Sequence, residues 1–253
     1  MFSFFCSRAC LLSSGEDLLY VRPDAKFDKS KPISGGIPHC FPQFGPGEMQ
    51  QHGFARNLDW EVTSTSADVN PDDPEPCVEL VLRESEYTRA MFDYAFTAAM
   101  SITLKADQLV CEMRVVNNDE KTFDFTAALH SYFAANVGDV AVEGLGGLSY
   151  LDKTVDANNP PTCELAEDGK ITITKETDSV FLGAPDEVTL RTGRKSDVSI
   201  VQQGWGDAVV WNPWESMPDS YPNFVCVECA KVGAPVELGP GEAWSSCMTL
   251  TAA

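Results

Sequence analysis

An all-β chain built as an antiparallel sandwich is what this sequence predicts, on three observations. Short runs with period-two alternation recur along most of the 253 residues, helical periodicity is nearly absent, and Gly, Pro and Asp-Gly punctuate the runs at regular spacing. Leu18–Arg22 opens as a short apolar run, and Cys77–Arg83 alternates as CVELVLR. Thr97–Leu104 and Leu109–Val116 flank the polar stretch 105–108 and read as a hairpin. Phe123–Ala135 fits helix or strand by pattern, and its aromatic and Thr content favours strand. Further strands are predicted at Val140–Glu143, Lys170–Lys175, Glu187–Thr192, Asp197–Gln202, Ala208–Trp211, Phe224–Glu228 and Ala243–Leu250, with turns at Asp168-Gly169, 191–195 and 239–241. The acidic stretch 71–76, PDDPEP, reads as a solvated turn and not as a linker, so residues 1–253 form one domain on this reading.

Composition narrows the function classes. A net charge of −20 argues against nucleic-acid and anionic-membrane partners, which need basic patches. No run of 18 apolar residues occurs, so no transmembrane helix is expected. The N-terminal MFSFFCSRACLLSS is broken by Arg8 and is not read as a signal peptide. Nine scattered cysteines in a chain with 43% hydrophobic residues point to a reducing, cytoplasmic setting rather than to disulfide staples. Cys226 and Cys229 stand alone as a C-x-x-C pair, and strand alternation would put them on opposite faces, so no metal site is expected.

The most tightly specified stretch is 31–60, KPISGGIPHCFPQFGPGEMQQHGFARNLDW. Five glycines and four prolines stand among three phenylalanines and a tryptophan, with His39, His52 and Arg56 between them. Gly reaches backbone angles closed to other residues and Pro fixes its own, so this density suits a packed irregular loop with polar groups projecting from it. Disorder is the competing reading, and the aromatics argue against it.

This stretch, with LHSYF (129–133), KETDSVFL (175–182), VVWNPW (209–214) and FVCVECA (224–230), resembles the signature of the glucose-6-phosphate 1-epimerases. They form the hexose-phosphate branch of the aldose 1-epimerase superfamily, and the wording is nearest the plant-type, apospory-associated protein C-like members. The motifs keep their order from residue 15 onward. The resemblance implies a galactose mutarotase-like antiparallel β-supersandwich with the sugar in a cleft on one sheet face. It also implies one or two strands ahead of this start, so the domain is read as lacking the first strand or strands. The implied activity interconverts the α and β anomers of a hexose 6-phosphate by general acid and base, with no cofactor and no metal. A sugar phosphate is then the small-molecule partner, a monomer is expected, and a plastid setting enters if an upstream targeting segment belongs to the protein.

Residue by residue, the resemblance assigns Glu228 in VCVE as general base and His130 in LHSYF as general acid. Imidazole titrates near neutral pH, and a carboxylate ending an apolar strand is partly desolvated, which lifts its pKa. From the residues alone, a solvent-facing strand-edge glutamate and a satisfied core histidine are equal or better readings. The two groups are expected to face each other across a pocket sized for one pyranose. His52 and Asp178 would hold sugar hydroxyls, although Asp178 also suits a turn cap. Gln43 is placed with the substrate-binding set. Trp211, with Trp214, offers a flat face for the ring, in competition with core packing. His39 is read as structural. Family members carry Arg where this chain has Ser34, and an Asp-Arg pair where it has Asp178-Ser179, so phosphate recognition falls to Arg56 first and Arg89 second, with Lys31 behind; a surface ion pair is the alternative for either Arg. Two further readings stay open: a mutarotase for unphosphorylated aldoses, and a non-catalytic carbohydrate-binding or sensor protein.

Overall fold

The computed structural model describes residues 15, 17–66 and 75–252. The N-terminal segment and most of the acidic stretch 71–76 lie outside the described residues. Among the described residues, sixteen strands form two eight-stranded sheets in which every strand pair is antiparallel. The first sheet runs His39–Cys40, Phe123–Leu129, Phe224–Leu238, Asp207–Asn212, Thr177–Leu182, Ser149–Asp152, Thr162–Glu164, with Tyr132–Ala134 also paired to Phe224–Leu238. The second runs Glu61–Ser66, Cys77–Arg83, Phe96–Leu104, Gln108–Asn117, Ala243–Ala252, Val198–Gln203, Glu187–Arg191, Ala141–Glu143.

Period-two patterning becomes burial directly. Phe96, Ala98, Met100 and Ile102 are buried while their neighbours are half-exposed, and Leu109, Cys111, Met113 and Val115 alternate likewise on the paired strand. These side chains meet Leu129, Phe181, Val210, Val225 and Val227 from the first sheet in one continuous core. Phe41, Phe54, Phe92, Phe96 and Phe125 add a cluster of edge-on rings at one end of that core. The 31–60 loop is therefore anchored by its own aromatics, since Phe41, Phe54 and Trp60 are all at most 2% exposed.

At its centre the first sheet buries both faces. Phe224 to Ala230 are buried without interruption, because Val225, Val227 and Cys229 face the core while Phe224, Cys226, Glu228 and Ala230 face outward under loops. Cys226 and Cys229 accordingly lie on opposite faces. Two readings of the sequence are corrected here. Lys170–Lys175 is not a strand: its alternation is real, but only Ile171 finds a partner, exchanging two backbone hydrogen bonds with Val142. Phe123–Ala135 is not continuous, since Ser131 N–H turns back onto Leu129 O at 2.8 Å and divides it into Phe123–Leu129 and Tyr132–Ala134.

Candidate active site

The outward face of the first sheet gathers the polar residues by register. Asp178 stands opposite Trp211, which stands opposite Cys226; Val180 stands opposite Val209, which stands opposite Glu228. Asp178, Trp211, Val209 and Glu228 thus project to one side from three adjacent strands. His130 enters at the Ser131 break, its N–H donating to Pro38 O at 2.9 Å, and its ring stacks on Tyr132 at 4.8 Å. Together these side chains line a cavity of about 210 Å³ with Arg22, Phe44, Gln51, His52, Arg56, Lys153 and Met217.

At its floor, His130 Nδ1 is 3.2 Å from Glu228 Oε1, with side-chain exposures of 8% and 1%. The contact is close but not aligned as a hydrogen bond, and His130 Nδ1 and Glu228 Oε2 are both buried without a hydrogen-bond partner among the described residues. Burial lifts the Glu228 carboxyl well above the usual carboxylate range, nearby Asp178 adds to the rise, and Arg56 and Lys153 oppose it. Burial, seconded by Arg56, lowers His130 to about 3. Both shifts favour the uncharged member of the pair, with the proton on Glu228. The sequence expectation that the two groups face each other across a ring-sized gap is corrected: they touch side by side.

His52 is held by its backbone and its ring together. It adopts φ +63°, with Gly53 following at +68°, and its Nδ1 accepts the Gly45 N–H at 3.1 Å. A neutral ring that accepts at Nδ1 carries its proton on Nε2, which lies 3.2 Å from the Gln51 side-chain amide. Its own pKa is lowered, first by burial and then by His130, Arg56 and Lys153. The His52 and His130 rings meet edge-on at 5.4 Å. Burial raises the Asp178 carboxyl, with Lys153 opposing.

Of the residues singled out in the sequence, Glu228, His130, His52, Asp178, Arg56 and Trp211 line this cavity and Gln43 and Arg89 do not. Gln43 is a brace for the loop: Nε2 donates to Gly45 O at 3.1 Å and Oε1 accepts the Met49 N–H at 3.1 Å. Arg89 sits on the helical turn Glu86–Arg89 beside Glu84 and Asp93, at 3.7 and 3.3 Å. Trp214 packs on Tyr221 and the core instead of the cleft. His39 is 4% exposed against Trp60, with burial lowering its pKa to about 4. Arg22, Tyr132 and Lys153 are cleft residues that sequence reasoning missed. Tyr132 was within the quoted LHSYF motif, two residues from His130 and so on its face; Arg22 and Lys153 carry no local signal.

The family model described as aldose 1-epimerase matches residues 10–251. A provisionally named glucose-6-phosphate 1-epimerase of Cenchrus ciliaris is 36% identical over 256 residues, covering 94% of this chain and 76% of that one. One of the same provisional name from Escherichia coli K12 is 32% identical, covering 90% and 79%. Among solved structures, a provisionally titled mutarotase from Salmonella typhimurium superposes with a TM-score of 0.79 at 28% identity, covering 94% of this chain and 80% of that one. A galactose mutarotase-like protein from Clostridium acetobutylicum, at 18% identity, has a TM-score of 0.76 and coverages of 95% and 87%, and so shares the fold.

Proposed function

Because the chain belongs to the aldose 1-epimerase family, we propose that it interconverts the anomers of a hexose 6-phosphate, glucose 6-phosphate foremost, with Glu228 and His130 as the proton carriers. The reading rests on one observation above others: a buried carboxylate and imidazole 3.2 Å apart at the floor of a cleft walled by Arg22, Arg56 and Lys153.

Anomer exchange moves two protons. Glu228 takes the proton from the anomeric hydroxyl, His130 gives one to the ring oxygen, and the C1–O5 bond breaks to leave the open-chain aldehyde. Rotation about C1–C2 presents the other carbonyl face, and on ring closure Glu228 returns its proton to the anomeric oxygen while the O5 hydroxyl gives its proton back to His130. Each group contributes about 10²–10⁴-fold by general catalysis. The anomeric oxygen and the ring oxygen are bonded to the same carbon, so adjacent carriers suit this chemistry better than carriers set across a ring. The first step starts from the Glu228 carboxylate and the His130 imidazolium, a charged pairing that burial opposes and in which Arg56 and Lys153 support the carboxylate. After ring opening Glu228 holds the proton and His130 is neutral, and this is the pairing that desolvation prefers.

Phosphate recognition falls to Arg56, whose guanidinium donates to Gln51 O at 2.9 Å and has no ion-pair partner among the described carboxylates. Its fork of donors matches phosphoryl oxygens. Arg22 is adjacent but already held by Asp24 through two bonds of 2.9 and 2.7 Å. That tie, with Ser34 beside it, favours the second reading of a mutarotase for free aldoses.

The test is anomer exchange followed by NMR on glucose 6-phosphate and on glucose. The proposal expects acceleration of both, larger for the phosphate ester. Equal rates would support the second reading, and folded protein that accelerates neither would remove both.

A further inference from the structure

The cleft contains a cation that the proton-transfer chemistry does not use. Lys153 follows the strand Ser149–Asp152, is half-buried, and lines the same cavity as Glu228 and Asp178. Its ammonium sits over the Phe44 ring at 5.2 Å, and no described carboxylate oxygen comes within 4.0 Å of Nζ. Arg22, Lys29, Arg83, Arg89 and Arg191 by contrast hold carboxylate partners.

Backbone geometry fixes where this ammonium stands. Lys153 N–H donates to Asp178 O at 2.8 Å, and Ser179 pairs with Asp152 in register, so residues 153 and 178 are tied main chain to main chain. On the facing loop, Gly45 has φ +71°, and a Cβ there would lie 2.9 Å from Nζ. A side chain at position 45 would displace the ammonium. The loop therefore leaves room for it, and the aromatic ring gives it a seat without neutralising it.

A carboxylate and an ammonium tied side by side at a cleft wall match a specific chemical pattern. An aspartate accepts hydrogen bonds only, and a lysine ammonium donates only. Two hydroxyls on neighbouring carbons satisfy both, one donating to the carboxylate and the other accepting from the ammonium. We propose that Lys153 and Asp178 together grip a pair of adjacent ring hydroxyls, making Lys153 a residue that selects the configuration of the sugar and leaving the phosphoryl group to other cations. The inference deepens the hexose-phosphate reading and rests on it for the choice of ligand, but it concerns binding and needs no turnover.

The test measures calorimetric Kd values of the wild type and Lys153→Met for glucose 6-phosphate, its 2-deoxy, 3-deoxy and 4-deoxy analogues, and free glucose. A hydrogen bond to a charged group is worth about 1.5–3 kcal/mol, so the substitution should weaken glucose 6-phosphate about tenfold or more. The same factor should hold for free glucose, and it should fall below about twofold on one of the three deoxy analogues, whose missing hydroxyl is the acceptor. Equal weakening of all three deoxy analogues overturns the proposal, as does weakening of the phosphate ester with none for glucose, which would make Lys153 a phosphate ligand. Lys153→Arg, which keeps the charge, should recover part of the affinity; a fold defect would show instead as loss in both variants together with a lowered Tm. Absence of wild-type turnover would sink the epimerase reading and leave these binding ratios to be judged alone.

Discussion

His130 Nδ1 and Glu228 Oε1 lie 3.2 Å apart beneath the cleft, in a place where the carboxylate is 1% exposed. A charged pair there loses hydration at both ends, and the unpartnered Glu228 Oε2 recovers none of it. What makes the position tolerable is that one proton moved from imidazole to carboxylate leaves both groups neutral. The same economy makes the pair a proton store for a reaction that borrows and returns one proton.

Glu228→Gln should therefore separate catalysis from stability. Turnover should fall by about 10²-fold or more, since the amide cannot accept a proton. Sugar binding should persist, and Tm should be unchanged or higher, because the substitution removes a carboxyl whose ionisation burial opposes. Anomer-exchange NMR and thermal melts on the same preparation would check this. A large fall in Tm would mean that the carboxylate holds the fold together and that lost turnover says nothing of its chemistry.

The three histidines predict how stability depends on pH. His39 is lowered to about 4 and His130 to about 3, and His52 is lowered too, all with burial first among the causes. A histidine with a lowered native pKa contributes stability that is full above its unfolded value near 6.5 and is lost as pH falls, because the unfolded chain takes up the proton first. Glu228 and Asp178, both raised, act in the opposite sense, contributing fully below their unfolded values and losing it as pH rises. The histidine contribution should decline from pH 7 to pH 5, with the two carboxyls acting against it. His39→Asn should flatten the slope between pH 6 and 5 by about 1.4 kcal/mol per unit, one proton's worth. Urea melts at both pH values measure it, and an unchanged slope would mean that His39 titrates like a free imidazole.

Much of the cleft was legible because strand alternation is a local property. Glu228 and Cys226 share a face by period two, and Phe224–Glu228 was readable as a strand. Asp178 and Trp211 were each visible within a motif, but their opposition needed the register between Thr177–Leu182 and Asp207–Asn212, which no local pattern carries. Lys153 and Arg22 were invisible for the same reason. Lys153 belongs to a short polar turn and Arg22 ends the apolar run Leu18–Arg22, and the place of each in the cleft depends on backbone pairing with a segment that local pattern does not indicate. Gln43 and Arg89 failed in the other direction. Gln43 finds its partners within eight residues of itself, and Arg89 finds carboxylates on the residue before its helix cap and four residues further along the chain.

Those two arginines make a matched pair for testing phosphate recognition. Arg56→Met should lower the preference for glucose 6-phosphate over glucose by about tenfold or more, the value of one charged hydrogen bond. Arg89→Met should leave that preference unchanged and move stability by no more than about 0.5 kcal/mol, because its ion pairs are at the surface. Competition kinetics on the two sugars decide it. A loss of preference in Arg89→Met alone would reverse the assignment.

Gly53 tests whether the loop places His52. It shares a left-handed backbone with Gly183, at φ +68° and +67°, but the two differ in surroundings. A Cβ on Gly183 would meet nothing within 4 Å, whereas one on Gly53 would collide with the carbonyl of Phe41. That carbonyl cannot yield easily, since it accepts the N–H groups of both Phe54 and Ala55 at 3.0 and 3.1 Å. Gly183→Ala should then cost about 1–2 kcal/mol, the left-handed penalty alone. Gly53→Ala adds the collision to that penalty and should cost more than about 3 kcal/mol. It should also weaken sugar binding, since the Gly45 N–H that orients the His52 ring lies across the displaced turn. Equal destabilisation of the two variants would mean that the turn relaxes freely and that His52 owes its orientation to something other than the Phe41 carbonyl beneath it.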